Sequence, residues 1–411
     1  MEMKEENVLK DLFQREFSKM VAVISKLYGL QHIEIAEDIV SETFLVAAET
    51  WGVKGMPENP TAWLYVVAKQ KTLYHFRRNK IFDEKVVPAL PRDPENHGNT
   101  TIPDFSEGNI RDSQLQMLFA VCNPAITSEA QMGLALRILC GFGIDEIAEA
   151  FLSKKDTINK RLFRAKDKLR TANIKMEFPP EHEIIPRLDN VLHIIYLLFN
   201  EGYYSRTQNH ILRKDLCLEA MRLGIMLSEY EKTNLPKTNA LIALMCFHAS
   251  RFDARQSEGN NFILYKHQNP ELWDKTLIKQ GMRFLELSAR GEEISSYHLE
   301  AKIACWHCYR EDTAEKWEDI LQLYDSLLKL NYSPVVALNR IYALYKAEGE
   351  RAALEEAEGL NMEGSHFYYV LLGELYKNMN REKARASLKK AYALAGTPPE
   401  KEEIQKQING L

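Results

Sequence analysis

In residues 157–170, Ile158, Leu162, Ala165 and Leu169 recur at i, i+4, i+7 and i+11. Only an α-helix gathers that spacing on one face. The same rhythm runs through Val8, Leu12, Phe13, Phe17, Met20, Val21, Ile24 and Leu27, and again through Ile35, Ile39, Val40, Phe44, Ala47 and Trp51. Alternating strand patterns are sparse. The chain therefore reads as all-α, with helices separated by short Gly, Pro and Asn punctuation.

At 411 residues two or three domains are expected. Residues 1–80 form one helical block. Gly52 to Pro60 stops its second helix, and Thr61 is the expected N-cap of the next. Residues 81–112 hold Pro88, Pro91, Pro94 and Pro103 with Gly98 and Gly108, and read as a flexible acidic linker. Helical pattern resumes at Gln114, so residues 113–175 make a second small domain. Pro179-Pro180 marks the last boundary. Residues 176–411 read as a helical extension, tetratricopeptide-like from about 317. There Trp317–Gly349 and His366–Gly396 resemble one another near the 34-residue period. An unrelated helical bundle is the alternative.

The net charge of −5 is unevenly spread. Residues 1–80 are neutral, 81–112 carry −4, 113–175 carry +4 and 176–411 carry −5. Phosphate binding follows local clusters, so the overall acidity does not exclude nucleic acid. Six scattered cysteines suit a reducing cytoplasm better than a disulfide framework. No apolar run is long enough to span a membrane, and the start of the chain does not read as a secretory signal.

Three stretches are candidate contact surfaces. Ile144 to Phe151 is a short amphipathic helix, followed by a corner at Leu152-Ser153 that lacks the glycine often found there. Thr157–Arg170 is the second helix of a helix-turn-helix. Opposite its apolar stripe it presents Lys155, Thr157, Asn159, Lys160, Arg161 and Arg164, donors suited to the major groove. A basic helix that touches no DNA is the bland alternative. The second stretch, 69–80, combines Lys69, Lys71, Arg77 and Arg78 with Tyr74, His75 and Phe76. Cations hold phosphates and aromatic faces stack on unpaired bases. Trp63 reads as core. The third stretch carries Glu37, Asp38 and Glu42 beside Ile39 and Val40, a set that can meet a basic partner or remain a solvated acidic face.

Other signals point away from chemistry. Cys305-Trp306-His307-Cys308 lacks a second ligand pair and reads as packing. His193 and Glu201 have no nucleophile or phosphate loop beside them, and Tyr203-Tyr204 and Tyr368-Tyr369 read as core aromatics. No catalytic residue, metal or cofactor is expected.

Glu146-Ile147-Ala148-Glu149-Ala150-Phe151, followed by Thr157-Ile158-Asn159-Lys160-Arg161-Leu162-Phe163-Arg164-Ala165-Lys166, resembles region 4 of sigma-70-type factors of the extracytoplasmic-function group. Ala36 to Phe44 resembles region 2.2, and Asn59 to Ala68 with Arg77-Arg78 resembles regions 2.3–2.4. The resemblance implies that region 4 reads the −35 promoter element and region 2 opens the −10 element. It also implies that Glu37, Asp38, Ile39, Val40 and Glu42 dock on the β′ clamp of RNA polymerase core, with the β flap as a further partner. Asn200-Glu201-Gly202-Tyr203, Leu218 to Leu223, Ser296 to Ala301 and Ser333 to Arg340 are similar to the long extension of one sigma subgroup, which there governs activity. A regulatory protein or ligand at the extension is implied. Gln70 and Tyr74 depart from the family's usual Asn and Asp, so the −10 preference is expected to be unusual. The expected protein is thus a cytoplasmic, non-enzymatic sigma factor. The rivals are a helix-turn-helix regulator working without polymerase, and a tetratricopeptide-type adaptor or helical enzyme.

Overall fold

The computed structural model describes residues 2–86, 102–151, 153–203, 212–255, 263, 265–309, 311–360, 362–396 and 398–411, with the side chains of 2–7, 78–86, 266 and 399 left aside. Among the described residues there are nineteen α-helices and no strand. The all-α expectation is met. No helix among them is long and apolar enough to cross a membrane. The chain divides into two compact units, residues 1–197 and 198–411.

The first unit holds α1 (Glu2–Tyr28), α2 (Ile33–Lys54), α3 (Pro60–Val86), α4 (Glu107–Val121), α5 (Ser128–Leu134), α6 (Ile144–Ala150), α7 (Lys155–Thr171) and the start of α8 (Glu181–Tyr203). α1 is its axis and packs against α2, α3 and α4. Phe17, Met20, Val21 and Ile24 are within 1% of complete burial, as expected from their spacing.

Local chemistry moves several expected boundaries. α2 runs past Gly52 and stops at Gly55, whose φ of 79° lies in the left-handed region that favours glycine. The cap of α3 is Asn59, not Thr61. The Asn59 Oδ1 accepts the Ala62 N–H at 3.0 Å, and Pro60, which lacks an N–H, takes the first helical position. α4 begins at Glu107 rather than Gln114, inside the stretch read as linker. Phe105 stacks on Tyr65 at 4.7 Å, Ile110 is 7% exposed, and the Asp104 carboxylate accepts both the N–H and the hydroxyl of Ser106 at 3.0 Å. Those backbone and hydroxyl bonds hold the Asp104 carboxyl below its ordinary range. α3 likewise continues to Val86, while residues 87–101 of the expected linker lie outside the described residues.

The start of α8 belongs with this unit. Arg187 donates to the Phe119 carbonyl at 2.5 Å, and Asn190 donates to the Cys122 carbonyl at 2.6 Å and to Gln131 at 2.8 Å. These bonds occupy carbonyls that the end of α4 leaves without intrahelical partners.

The second unit is built around α10 (Pro236–Ala249), which is apolar on nearly every side and packs on α9 (Lys214–Ser228), α12 (Lys275–Ser288) and α13 (Ser296–Trp306). Gly281 makes the α12 contact close, since a methyl there would lie 2.7 Å from the Phe247 ring. A short α11 (Phe252–Arg255) follows α10. After α13 come α14 (Ala314–Leu330), α15 (Pro334–Glu348), α16 (Glu350–Leu360), α17 (His366–Tyr376), α18 (Arg381–Leu394) and α19 (Pro398–Asn409), each packed on the next. The two similar stretches noted in the sequence are the pairs α14–α15 and α17–α18. α16 stands between them.

Candidate nucleic-acid interface

α7 divides cleanly into an inner and an outer face. Ile158, Leu162, Ala165 and Leu169 are buried. Leu162 reaches α5 at Gly133, where a methyl group would come within 2.9 Å of it. Ala148 of α6 is 7% exposed. The turn before α7 is drawn in by the Ser153 N–H, which donates to the Ala148 carbonyl at 2.8 Å, while Leu152 lies outside the described residues. Outward stand Lys155, Thr157, Asn159, Lys160 and Arg164, whereas Arg161 is half-buried on the side of Glu129. Lys155 pairs with Asp145 at 2.9 Å. Both partners are more than half exposed, so the pair is easily exchanged for another anion.

Two residues of this face, Phe163 and Lys168, are absent from the expected contact set. Phe163 is 62% exposed between Lys160 and Arg164, an aromatic surface in a basic setting. Lys160, Arg164 and Lys168 form an i, i+4, i+8 ridge, and none has an ion-pair partner among the described residues. A helical wheel shows both, because Phe163 falls about 100° from the buried stripe.

On α3 the exposed stripe is Val66, Gln70, Tyr74 and Arg77. Tyr74 is 68% exposed and Val66 54%. Lys69 and Lys71 flank it half-buried, and Lys71 pairs with Glu42 of α2 at 3.0 Å. The Arg78 side chain lies outside the described residues. Phe76 is no free platform for a base, since its ring stacks on Tyr28 at 3.3 Å. Trp63 meets Trp51 edge-on at 5.4 Å, an internal contact as expected. The two residues that depart from the family pattern, Gln70 and Tyr74, are thus both on the open face.

α2 distributes its expected contact residues differently. Asp38 and Glu42 are exposed and share a stripe with Leu45 and Glu49. Ile39, Val40 and Glu37 are only 4%, 0% and 7% exposed. Helical geometry turns the first two onto the core of their own unit, so they offer no apolar surface in this state. The Glu37 carboxylate accepts from Arg137 Nε at 3.0 Å and from Lys166 Nζ. Arg137 sits on a π-helical turn, Ala135–Leu139, closed by the Cys140 N–H on the Ala135 carbonyl at 3.2 Å. Such turns rotate side chains off the regular helical register. Arg137 also lies over the Phe17 ring at 5.7 Å. Glu37 therefore ties α2 to both the π turn and α7.

In the second unit the Cys305-Trp306-His307-Cys308 run ends α13. Burial pushes the Cys305 thiol up to about 11 and the Cys308 thiol upward as well. Burial, with Arg251 and Lys316 nearby, pushes the His307 imidazole down to about 3. His307 packs edge-on to Tyr265 at 5.1 Å and Trp317 at 6.0 Å. These neutral groups are packed into an aromatic cluster that also holds Arg251 over Tyr265 at 5.4 Å. His193 is exposed on α8, Tyr203 and Tyr368 are core residues, Tyr369 is only half-buried, and Tyr204 lies outside the described residues.

Two stretches of the chain match known protein families. Residues 12–81 match sigma-70 region 2. Residues 187–289 match a family of unknown function, DUF6596. A protein of Rhizobium meliloti (strain 1021), named as the uncharacterized protein R00370, is 32% identical over 385 residues, which is 93% of this chain and 91% of that protein. No solved structure matches the chain.

Proposed function

We propose that this chain, whose residues 12–81 match sigma-70 region 2, is an extracytoplasmic-function-type sigma factor of RNA polymerase that reads two promoter elements and is governed by its own helical extension. Region 2 supplies Asp38 and Glu42 to the polymerase β′ clamp. It supplies Lys69, Lys71, Tyr74 and Arg77 to the −10 element, with Val66 and Gln70 on the same face. α6 and α7 act as a helix-turn-helix on the −35 element. Thr157, Asn159, Lys160 and Arg164 face the bases or phosphates, and Phe163 adds an apolar contact of the kind that suits a thymine methyl.

The observation that carries this reading is the division of α7: a sealed apolar stripe beneath a ridge of cations with no ion-pair partner among the described residues, in the same compact unit as residues 12–81. Two promoter elements lie apart along the duplex, so promoter binding requires α7 and the π turn to leave α2. Polymerase, by engaging the outer face of α2, is placed to favour that opening.

Run-off transcription with purified core polymerase on a selected DNA pool is the test. Promoter-specific transcripts that disappear in Lys160→Ala and Arg164→Ala are expected. Absence of co-elution with core, with no specific transcript, would sink the reading. Tight operator binding without polymerase would favour a stand-alone regulator instead. The role of the extension is tested by truncation after α8 rather than at Pro179, because Arg187 and Asn190 belong to the packing of the first unit.

A further inference from the structure

Three helices stand out by charge. α7 carries a net +5, and α3 and α18 carry +4 each, while no other helix among the described residues exceeds +2. α3 and α7 hold the DNA-facing residues named above. α18 lies in an extension whose net charge is −5. It contains Arg381, Lys383, Arg385, Lys389 and Lys390 against a lone acid, Glu382. All five cations are exposed, and none has an ion-pair partner among the described residues.

Their arrangement opposes the helix's own stability. Arg381 and Lys383 occupy the first turn, against the positive end of the helix dipole. Arg381, Arg385 and Lys389 follow one another at i, i+4 and i+8, where like charges repel. Stability therefore does not account for the ridge. The helix is nonetheless firmly held. Ala384, Ser387, Leu388 and Ala391 are buried, Asn380 caps the Lys383 N–H at 3.0 Å, and Leu388 lies so close to Gly373 of α17 that a methyl there would sit 2.7 Å away. The ridge repeats that of Lys160, Arg164 and Lys168 on α7, with the same four-residue step.

We propose that α18 is a further nucleic-acid contact, a sequence-independent binder of duplex phosphates through Arg381, Arg385 and Lys389. Successive cations stand about 6 Å apart along the helix axis, close to two nucleotide steps of ~3.4 Å on one strand. The choice of DNA as the polyanion rests on the promoter reading. The extension thereby adds affinity and salt dependence without adding base preference.

The test measures binding of the full chain to a duplex DNA lacking promoter sequence, across a salt series, by fluorescence anisotropy. Triple replacement Arg381→Ala/Arg385→Ala/Lys389→Ala is expected to flatten the dependence of log affinity on log salt by about 2–3, since each phosphate no longer neutralised lowers the slope by roughly 0.9. Its melting temperature is expected to equal or exceed that of the parent, since repulsion is relieved. An unchanged slope overturns the proposal. So does a lowered melting temperature, which would make the ridge part of the packing. Loss of binding to polyglutamate with an unchanged DNA slope overturns it in favour of an acidic polypeptide partner. Lys160→Ala/Arg164→Ala/Lys168→Ala, measured in parallel, separates the two ideas. If that variant alone keeps the parent slope, the promoter reading fails and the α18 contact stands on its own result.

Discussion

α2 and α7 were expected to do the same kind of work, presenting side chains to a partner, yet the fold treats them differently. α7 buries four of its 17 residues, all of them apolar and all on one stripe. α2 buries nine of its 22, including Glu37 and Thr43. The difference follows from neighbours. α7 is covered on one side, whereas α2 packs on α1 and α3 and also receives Arg137 and Lys166. Polarity alone therefore does not say which charges are outside. A carboxylate can be interior when cations converge on it.

The sharpest break of this contrast is Ile39→Asp. A carboxylate at a site 4% exposed and without a cation should cost more than about 4 kcal/mol and unfold the first unit in urea. Asp38→Ala, one residue along, should stay within about 0.5 kcal/mol. An unchanged denaturation midpoint for Ile39→Asp would show that α2 does not bury this face. Next comes Leu162→Ala, expected to lose about 2–5 kcal/mol, because facing Gly133 has no side chain to fill the void. Phe163→Ala should leave the same denaturation curve nearly unmoved.

Glu37→Gln should cost about 1–3 kcal/mol. The amide cannot neutralise both cations, though each retains some solvent, with side chains 23% and 16% exposed. If closure restrains activity, promoter use should hold or rise while stability falls. A parallel drop in both would make Glu37 a purely structural tie. Lys160→Ala and Arg164→Ala should each weaken promoter binding by about 1–3 kcal/mol where a base edge is contacted, with stability unchanged. Equal weakening on every sequence would mark phosphate contacts instead.

The second unit takes the opposite course from α7 by sealing titratable groups inside. The His307 imidazole is pushed down to about 3, and His248 is driven well below its ordinary value by burial, with Arg251 and Arg255 adding. A histidine whose folded-state value is depressed contributes stability that is complete above about 6.5 and is lost as pH falls below it. Each such imidazole should remove at most about 1.4 kcal/mol per pH unit as pH falls from about 6.5 to 5. His307→Phe should flatten that fall in a pH series of melting temperatures. An unchanged slope would mean that the ring is not sealed.

Much of this was legible from spacing. The stripes of α1 and α7 follow from which residues recur at three and four. Boundaries were less legible, because they rest on single bonds. Asn59 rather than Thr61 caps α3 since Pro60 suits the first helical turn. The segment 102–112 looks like linker until Phe105 finds Tyr65. Phe76 looked available for a base, but its partner Tyr28 lies 48 positions earlier in the chain. Phe163 and the Arg381 ridge were readable on a helical wheel, although their exposure was not.

What the sequence determined by itself is the helical class and the two faces of α7, since these depend on periodicity within a single helix. Only the tertiary structure decided that Glu37, Ile39 and Val40 face inward while Asp38 and Glu42 remain outside. It also joined residue 37 to residues 137 and 166. Those outcomes depend on which surfaces meet after folding. A helix's own repeat says which residues share a face, but a contact across a hundred residues is set by burial and charge pairing between elements.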